Sequence, residues 1–146
     1  MSRLLDAARA YGRAFERLTP TTLSDLAALW TDDVLFRDPF NEIRGISASL
    51  AVYRHMFETL DDPRFVVLDV TASETAAYLK WRMTFRSKGR LDTWTIEGVS
   101  ELAVADDGRV RSHFDHWDAA SQLYEKMPVL GVLMRWLKGR LKAPSV

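Results

Sequence analysis

Apolar residues recur at helical spacing through the first third of the chain and at alternate positions through the next half. Leu4, Ala8, Tyr11, Phe15 and Leu18 fall on one stripe, which predicts a first amphipathic helix with Arg9, Arg13, Glu16 and Arg17 on its polar side. "TPTTLSDLAALW" restarts the pattern with Leu23, Leu26, Ala27 and Trp30, taking Thr19 as the cap and Pro20 in the first turn. "TDD" at Thr31 to Asp33 interrupts it, and "VLFRDP" predicts a brief strand that Pro39 stops near Asp38. Ile46, Leu50, Tyr53, Phe57 and Leu60 predict a third helix, ended by "DDP" at Asp61 to Pro63. From Arg64 the period drops to two. "RFVVLDVTAS", "TAAYLKWRMTFR", "LDTWTIEGVSELAVA" and "RVRSHFDHW" predict four strands, and their short links predict an antiparallel meander. Leu79, Trp81, Met83 and Phe85 share one face, as do Trp94, Ile96, Gly98, Ser100, Leu102 and Val104. The opposite face sets Lys80, Arg82 and Arg86 against Glu97 and Glu101.

The chain has 146 residues, 47% hydrophobic and 27% charged, which suits a compact domain with a substantial core. Twenty basic and twenty acidic residues cancel, so no overall field draws in nucleic acid. The sequence has no cysteine, which removes disulfides and thiolate metal sites and fits a reducing, cytoplasmic compartment. The N-terminus lacks the unbroken apolar run of a signal peptide. After Glu125 the only charges are Lys126, Arg135, Lys138, Arg140 and Lys142, so "PVLGVLMRWLKGRLK" predicts a basic amphipathic helix over the extension 126–146. Such a helix either packs on its own protein, over a cavity or a partner subunit, or rests on an anionic membrane surface. Its broad apolar content favours packing.

Two places concentrate titratable chemistry. Asp38 stands between Phe36 and Phe40, where desolvation would tune a carboxylate towards general-base work, or else it caps the turn at Pro39 or pairs with Arg37 or Arg44. In "HFDHWD", strand alternation puts His113, Asp115 and Trp117 on one face and Phe114 and His116 on the other. His113 can then hold or relay a proton for Asp115, or be a satisfied core histidine. The opposed facing of His113 and His116 argues against a metal site, and no motif calls for a cofactor. Phe15, Phe36, Trp81 and Trp117 fall on inward faces, where those near the open end of a curved sheet would line an apolar cavity.

The element order, "LFRDPFNEIRG" and the terminal "HFDHWD" together resemble the SnoaL-like branch of the nuclear transport factor 2-like superfamily, which includes the ketosteroid isomerases. The resemblance covers residues 3 to 125, so residues 1–125 form the expected domain. It implies an α+β fold: a cone-shaped, curved antiparallel sheet wrapped around three N-terminal helices, with the C-terminal helix added. By resemblance, Asp38 takes the place of the isomerases' proton-shuttling aspartate and Trp117 that of the aromatic closing the last strand. Asp115 takes that of the late-strand acid-base aspartate of the cyclases. Ala14 and Ser100 stand where the isomerases keep their two oxyanion donors, and Tyr11, one turn before Ala14, is the nearest substitute. The chain therefore departs from a standard ketosteroid isomerase.

The resulting expectation is a homodimer, joined through the outer sheet face, that holds a small, mainly apolar molecule. Catalysis would fall to Asp38, Asp115 and His113, and ligand contact to Tyr11, Phe15, Phe36, Phe40, Trp81, Ser100 and Trp117. One reading is a cofactor-independent isomerase or cyclase acting on a carbonyl or polycyclic substrate. The other is a non-catalytic binding or assembly module, motivated by the missing oxyanion pair.

Overall fold

The computed structural model describes residues 2–144, which fall into two compact units meeting in sequence at His116 and Trp117. The first contains helices α1 (Ser2–Glu16), α2 (Leu23–Ala27) and α3 (Ile46–Thr59). Its strands are β1 (Trp30–Arg37), β2 (Glu42–Arg44), β3 (Leu60–Ala72), β4 (Ala77–Ser87), β5 (Thr93–Val104) and β6 (Val110–His116). They form one curved, unclosed sheet in the order β2-β1-β6-β5-β4-β3, antiparallel throughout except where β1 runs parallel to β6. This is an α+β architecture, one sheet with three helices.

The alternating pattern explains the layering. Leu79, Trp81 and Phe85 of β4 and Ile96, Ser100 and Leu102 of β5 are buried on the inner face. On the outer face Arg82 Nε meets Glu97 Oε1 at 2.8 Å, across a direct register pair of β4 and β5. The helical stripe of α1, Leu4, Ala8, Tyr11 and Phe15, is buried in full, and α1 lies against β3 and β4. Tyr53 of α3, Trp30 and Phe36 complete an aromatic core.

Several boundaries differ from the sequence reading. The second helix stops at Ala27, and Trp30 already belongs to β1, pairing with Val110. "TDD" therefore lies within a strand; the register between β1 and β6 shifts after Trp30, and Thr31 Oγ1 bonds Asp33 Oδ1 at 3.0 Å. "DDP" likewise bends β3 rather than preceding it. The β3–β4 register slips between Asp61 and Arg64, where Asp62 takes φ 49° and Pro63 needs no ladder N–H. β2, only three residues long, carries no periodicity to read.

The second unit holds α4 (Ala119–Gln122), a 3₁₀ turn (Tyr124–Lys126) and α5 (Pro128–Leu141). Asp118 caps α4, its carboxylate accepting from Ser121 N at 3.0 Å. Among the described residues, no helix is long and apolar enough to cross a membrane.

Candidate functional site

A line of polar side chains crosses the aromatic core and ends on β6. In the β5–β6 register Ser100 faces Asp115 and Leu102 faces His113, with no slip between them, so alternation turns both His113 and Asp115 inward. On β4, Trp81 is the register partner of Gly98, and its indole lies across that glycine. A Cβ at Gly98 would stand 2.6 Å from Trp81 Cζ2. The missing side chain lets Trp81 Nε1 reach Ser100 Oγ at 2.9 Å.

The contacts then run without a break. Ser100 Oγ donates to Asp115 Oδ1 at 2.5 Å, and His113 Nε2 lies 2.6 Å from the same oxygen. On the other side of the imidazole, Nδ1 lies 2.7 Å from the Tyr11 hydroxyl, which also accepts from Trp30 Nε1 at 2.7 Å. Donor counting fixes the directions. Indole nitrogens only donate, so the Tyr11 oxygen takes Trp30's proton, and with no other acceptor bonded to it among the described residues it sends its own to His113 Nδ1. His113 is thereby assigned as the Nε2–H tautomer, which donates to Asp115. Every hydrogen bond in the chain Trp30, Tyr11, His113 and in the chain Trp81, Ser100 points towards one carboxylate oxygen.

Burial differs sharply along this line. Tyr11 is fully enclosed and His113 is 2% exposed, its ring 5.0 Å from Phe36 and 5.6 Å from both Tyr11 and Phe15. The Asp115 side chain is 16% exposed. Its Oδ2 accepts no hydrogen bond among the described residues. Burial raises the Tyr11 phenol well above its usual range; the Trp30 N–H pulls it down, and the charge of Asp115 adds to the rise. Tyr53 is raised the same way, first by burial and then by Asp115, Tyr11 and Asp38. Both phenols therefore stay protonated and remain donors.

Asp38 has a different setting. Its Oδ1 accepts from Phe40 N and Asn41 N, each at 2.7 Å, and Asn41 Nδ2 lies 3.1 Å from both carboxylate oxygens. With Asp38 N donating to Asn41 O at 3.0 Å, this is an Asx turn closing the β1–β2 hairpin. Phe40, at the turn's tip, is 56% exposed. Phe15, Phe36, Trp81 and Ser100 are buried around the polar line, and Trp117 begins the second unit.

One residue went unread as chemistry. Tyr53 sits at a helical apolar position and so registers as core. Its ring packs against Phe15, Phe36 and Trp30, with centroids 5.5, 5.6 and 6.2 Å away. Its hydroxyl has no hydrogen-bond partner among the described residues, nor is it sealed off as a buried orphan. No group of three or more His, Asp or Glu is placed to hold a metal ion among the described residues.

The model of the SnoaL-like domain family matches residues 9–113, which carry the second half of α1, the whole polar line up to His113, and most of the sheet. The chain belongs to the SnoaL-like family. Solved structures agree in fold. A nuclear transport factor 2-like protein of unknown function from Burkholderia pseudomallei superposes with TM-score 0.71 at 19% identity, over 83% of this chain and 95% of that one. A candidate polyketide cyclase from Xanthomonas campestris gives 0.66 at 18%, over 82% and 93%. An LEH-like epoxide hydrolase from M. tuberculosis gives 0.63 at 17%, over 97% and 98%. No curated protein matches the sequence.

Proposed function

We propose that this SnoaL-like chain binds a small, mainly apolar carbonyl compound and acts as a cofactor-independent isomerase or cyclase, with Asp115 as the base. The observation that carries the reading is the split use of the Asp115 carboxylate. Two donors fix Oδ1, while Oδ2 accepts no bond among the described residues and the side chain keeps some exposure. In this reading Oδ2 removes a proton from the carbon next to the substrate carbonyl. The C–H electron pair becomes the enolate C=C, and the carbonyl oxygen takes the charge. Tyr53, held protonated and electrostatically coupled to Asp115, donates its hydroxyl to that oxygen. Asp115 then returns the proton to another carbon, or to the alkoxide formed when the enolate carbon attacks a second carbonyl. His113 and Tyr11 position the carboxylate, since His113 Nδ1 already accepts Tyr11's proton. Asp38 shapes the hairpin.

Two relatives in fold carry the names of a polyketide cyclase and an epoxide hydrolase, so an enzyme on this fold is in keeping with the reading. A cytoplasmic setting is part of the proposal, and the cysteine-free sequence is compatible with it. A homodimer through the outer sheet face is part of the proposal, supported by the exposed Val66 on β3. The rival reading, a binding module without turnover, draws on Tyr11 and Ser100, whose hydroxyls are spent inside the network.

The test is deuterium uptake next to the carbonyl when a panel of apolar ketones is incubated with protein in D₂O. Wild type should exchange at least one ketone, Asp115→Asn should lose about 10²-fold or more, and Asp38→Asn should retain the rate. Undiminished exchange by Asp115→Asn refutes the assignment.

A further inference from the structure

The C-terminal helix turns its apolar side outward. Gly131 of α5 is buried against the preceding turn, where a Cβ would fall 2.3 Å from Glu125 O. On the same side, Arg135 Nη1 donates to Glu125 O at 2.8 Å, and Lys138 Nζ meets Glu125 Oε2 at 3.3 Å. Gly131, Arg135 and Lys138 are thus the side of the helix that its own unit holds. Val129, Val132, Leu133 and Trp136, spaced i, i+3, i+4 and i+7, form the other side, with Val129 85% and Trp136 57% exposed. Leu137 and Leu141 widen the arc and are also exposed. Arg140 stacks over Trp136, 5.6 Å from the ring centroid.

We infer that α5 is a membrane-surface anchor that lays this arc into an anionic lipid surface. Charge selects the occupant. Lys126, Arg135, Lys138, Arg140 and Lys142 follow Glu125 with no acid among them, although the whole chain is neutral. A second copy's apolar arc laid on this one would bury Arg140, stacked on Trp136, with no counter-charge. Anionic headgroups complement Arg140 and the flanking Lys142, the acyl boundary accepts the apolar arc, and Trp136 with its stacked arginine suits the depth between them. A nucleic acid would match the charge and leave the apolar arc in water.

The test is co-sedimentation of the full chain with vesicles of phosphatidylcholine, alone or mixed with phosphatidylglycerol. Wild type should bind the mixed vesicles, leave the neutral ones, and be released by salt. Arg140→Gln with Lys142→Gln should weaken partitioning roughly 25-fold, at about fivefold per cation near the surface. Val132→Glu with Trp136→Glu, both at exposed positions, should abolish binding while the far-UV spectrum and the sedimentation coefficient stay unchanged. Absence of binding to the mixed vesicles, or binding that survives Val132→Glu with Trp136→Glu, overturns the proposal. Dissociation of a dimer by that variant also overturns it, and assigns the face to a second copy.

Discussion

Replacing Tyr11 by Phe removes one oxygen from the middle of the polar line and keeps the ring that packs on Phe15 and His113. No cavity of consequence opens, so the effect isolates hydrogen bonding. Trp30 Nε1 loses its acceptor and His113 Nδ1 its donor, both within a fully buried setting. Each buried polar group left unpaired costs about 1–3 kcal/mol, so the variant should lose about 2–6 kcal/mol. That is a large share of the roughly 5–15 kcal/mol by which such domains are stable. Urea unfolding followed by far-UV circular dichroism reads it directly: with a slope of about 2 kcal/mol/M, the midpoint should drop by about 1–3 M at unchanged slope. Pairing Tyr11→Phe with His113→Leu should show non-additivity of at least about 0.5 kcal/mol, since the two groups share one bond. A loss below about 0.5 kcal/mol, within the range of ordinary surface changes, would mean that the line is not formed as described.

Three further outcomes follow from the same geometry. Gly98→Ala forces a methyl into the Trp81 indole and should cost about 1–3 kcal/mol by overpacking, read as a lower thermal midpoint with a changed near-ultraviolet tryptophan signal. Asp38→Ala opens the Asx turn at Phe40 and Asn41 and should cost about 0.5–2 kcal/mol, measured by the same unfolding, by analogy with a lost cap. For Tyr11 and Tyr53 the folded state holds the phenol proton more tightly than the unfolded chain does. Their stabilising contribution is therefore complete below about pH 10 and is lost as pH climbs above it, by about 1.4 kcal/mol per unit for each phenol. Phenolate absorbance from these two should appear only together with unfolding in an alkaline titration.

The long elements were legible because burial repeats along them. The stripe of α1 and the inward faces of β4 and β5 lie where spacing put them, and the alternation of "HFDHWD" turns His113 and Asp115 to one side. What escaped was decided by tertiary contact. "TDD" and "DDP" look like breaks because Asp and Pro disfavour regular strands, yet neighbouring strands absorb both through shifts of register. A carboxylate before Pro39 reads equally well as a base or a turn cap, and the hydrogen bonds from Phe40 N and Asn41 N that make it a turn cap come from backbone placement that no residue pattern shows. Tyr53 carries no local mark at all. Its unbonded hydroxyl becomes visible only once Phe15, Trp30 and Phe36 are seen to use the ring alone. The amphipathic pattern of α5 was plain, whereas the side it presents depends on the grip of Glu125 on Gly131, Arg135 and Lys138.

The assignment of Asp115, rather than Asp38, as the proton acceptor is tested most directly by carboxyl-carbon NMR of the two aspartates while a ketone that undergoes exchange is titrated in. The Asp115 resonance should move to saturation with the ligand and the Asp38 resonance should stay in place. Movement at Asp38 with Asp115 unchanged would contradict the account.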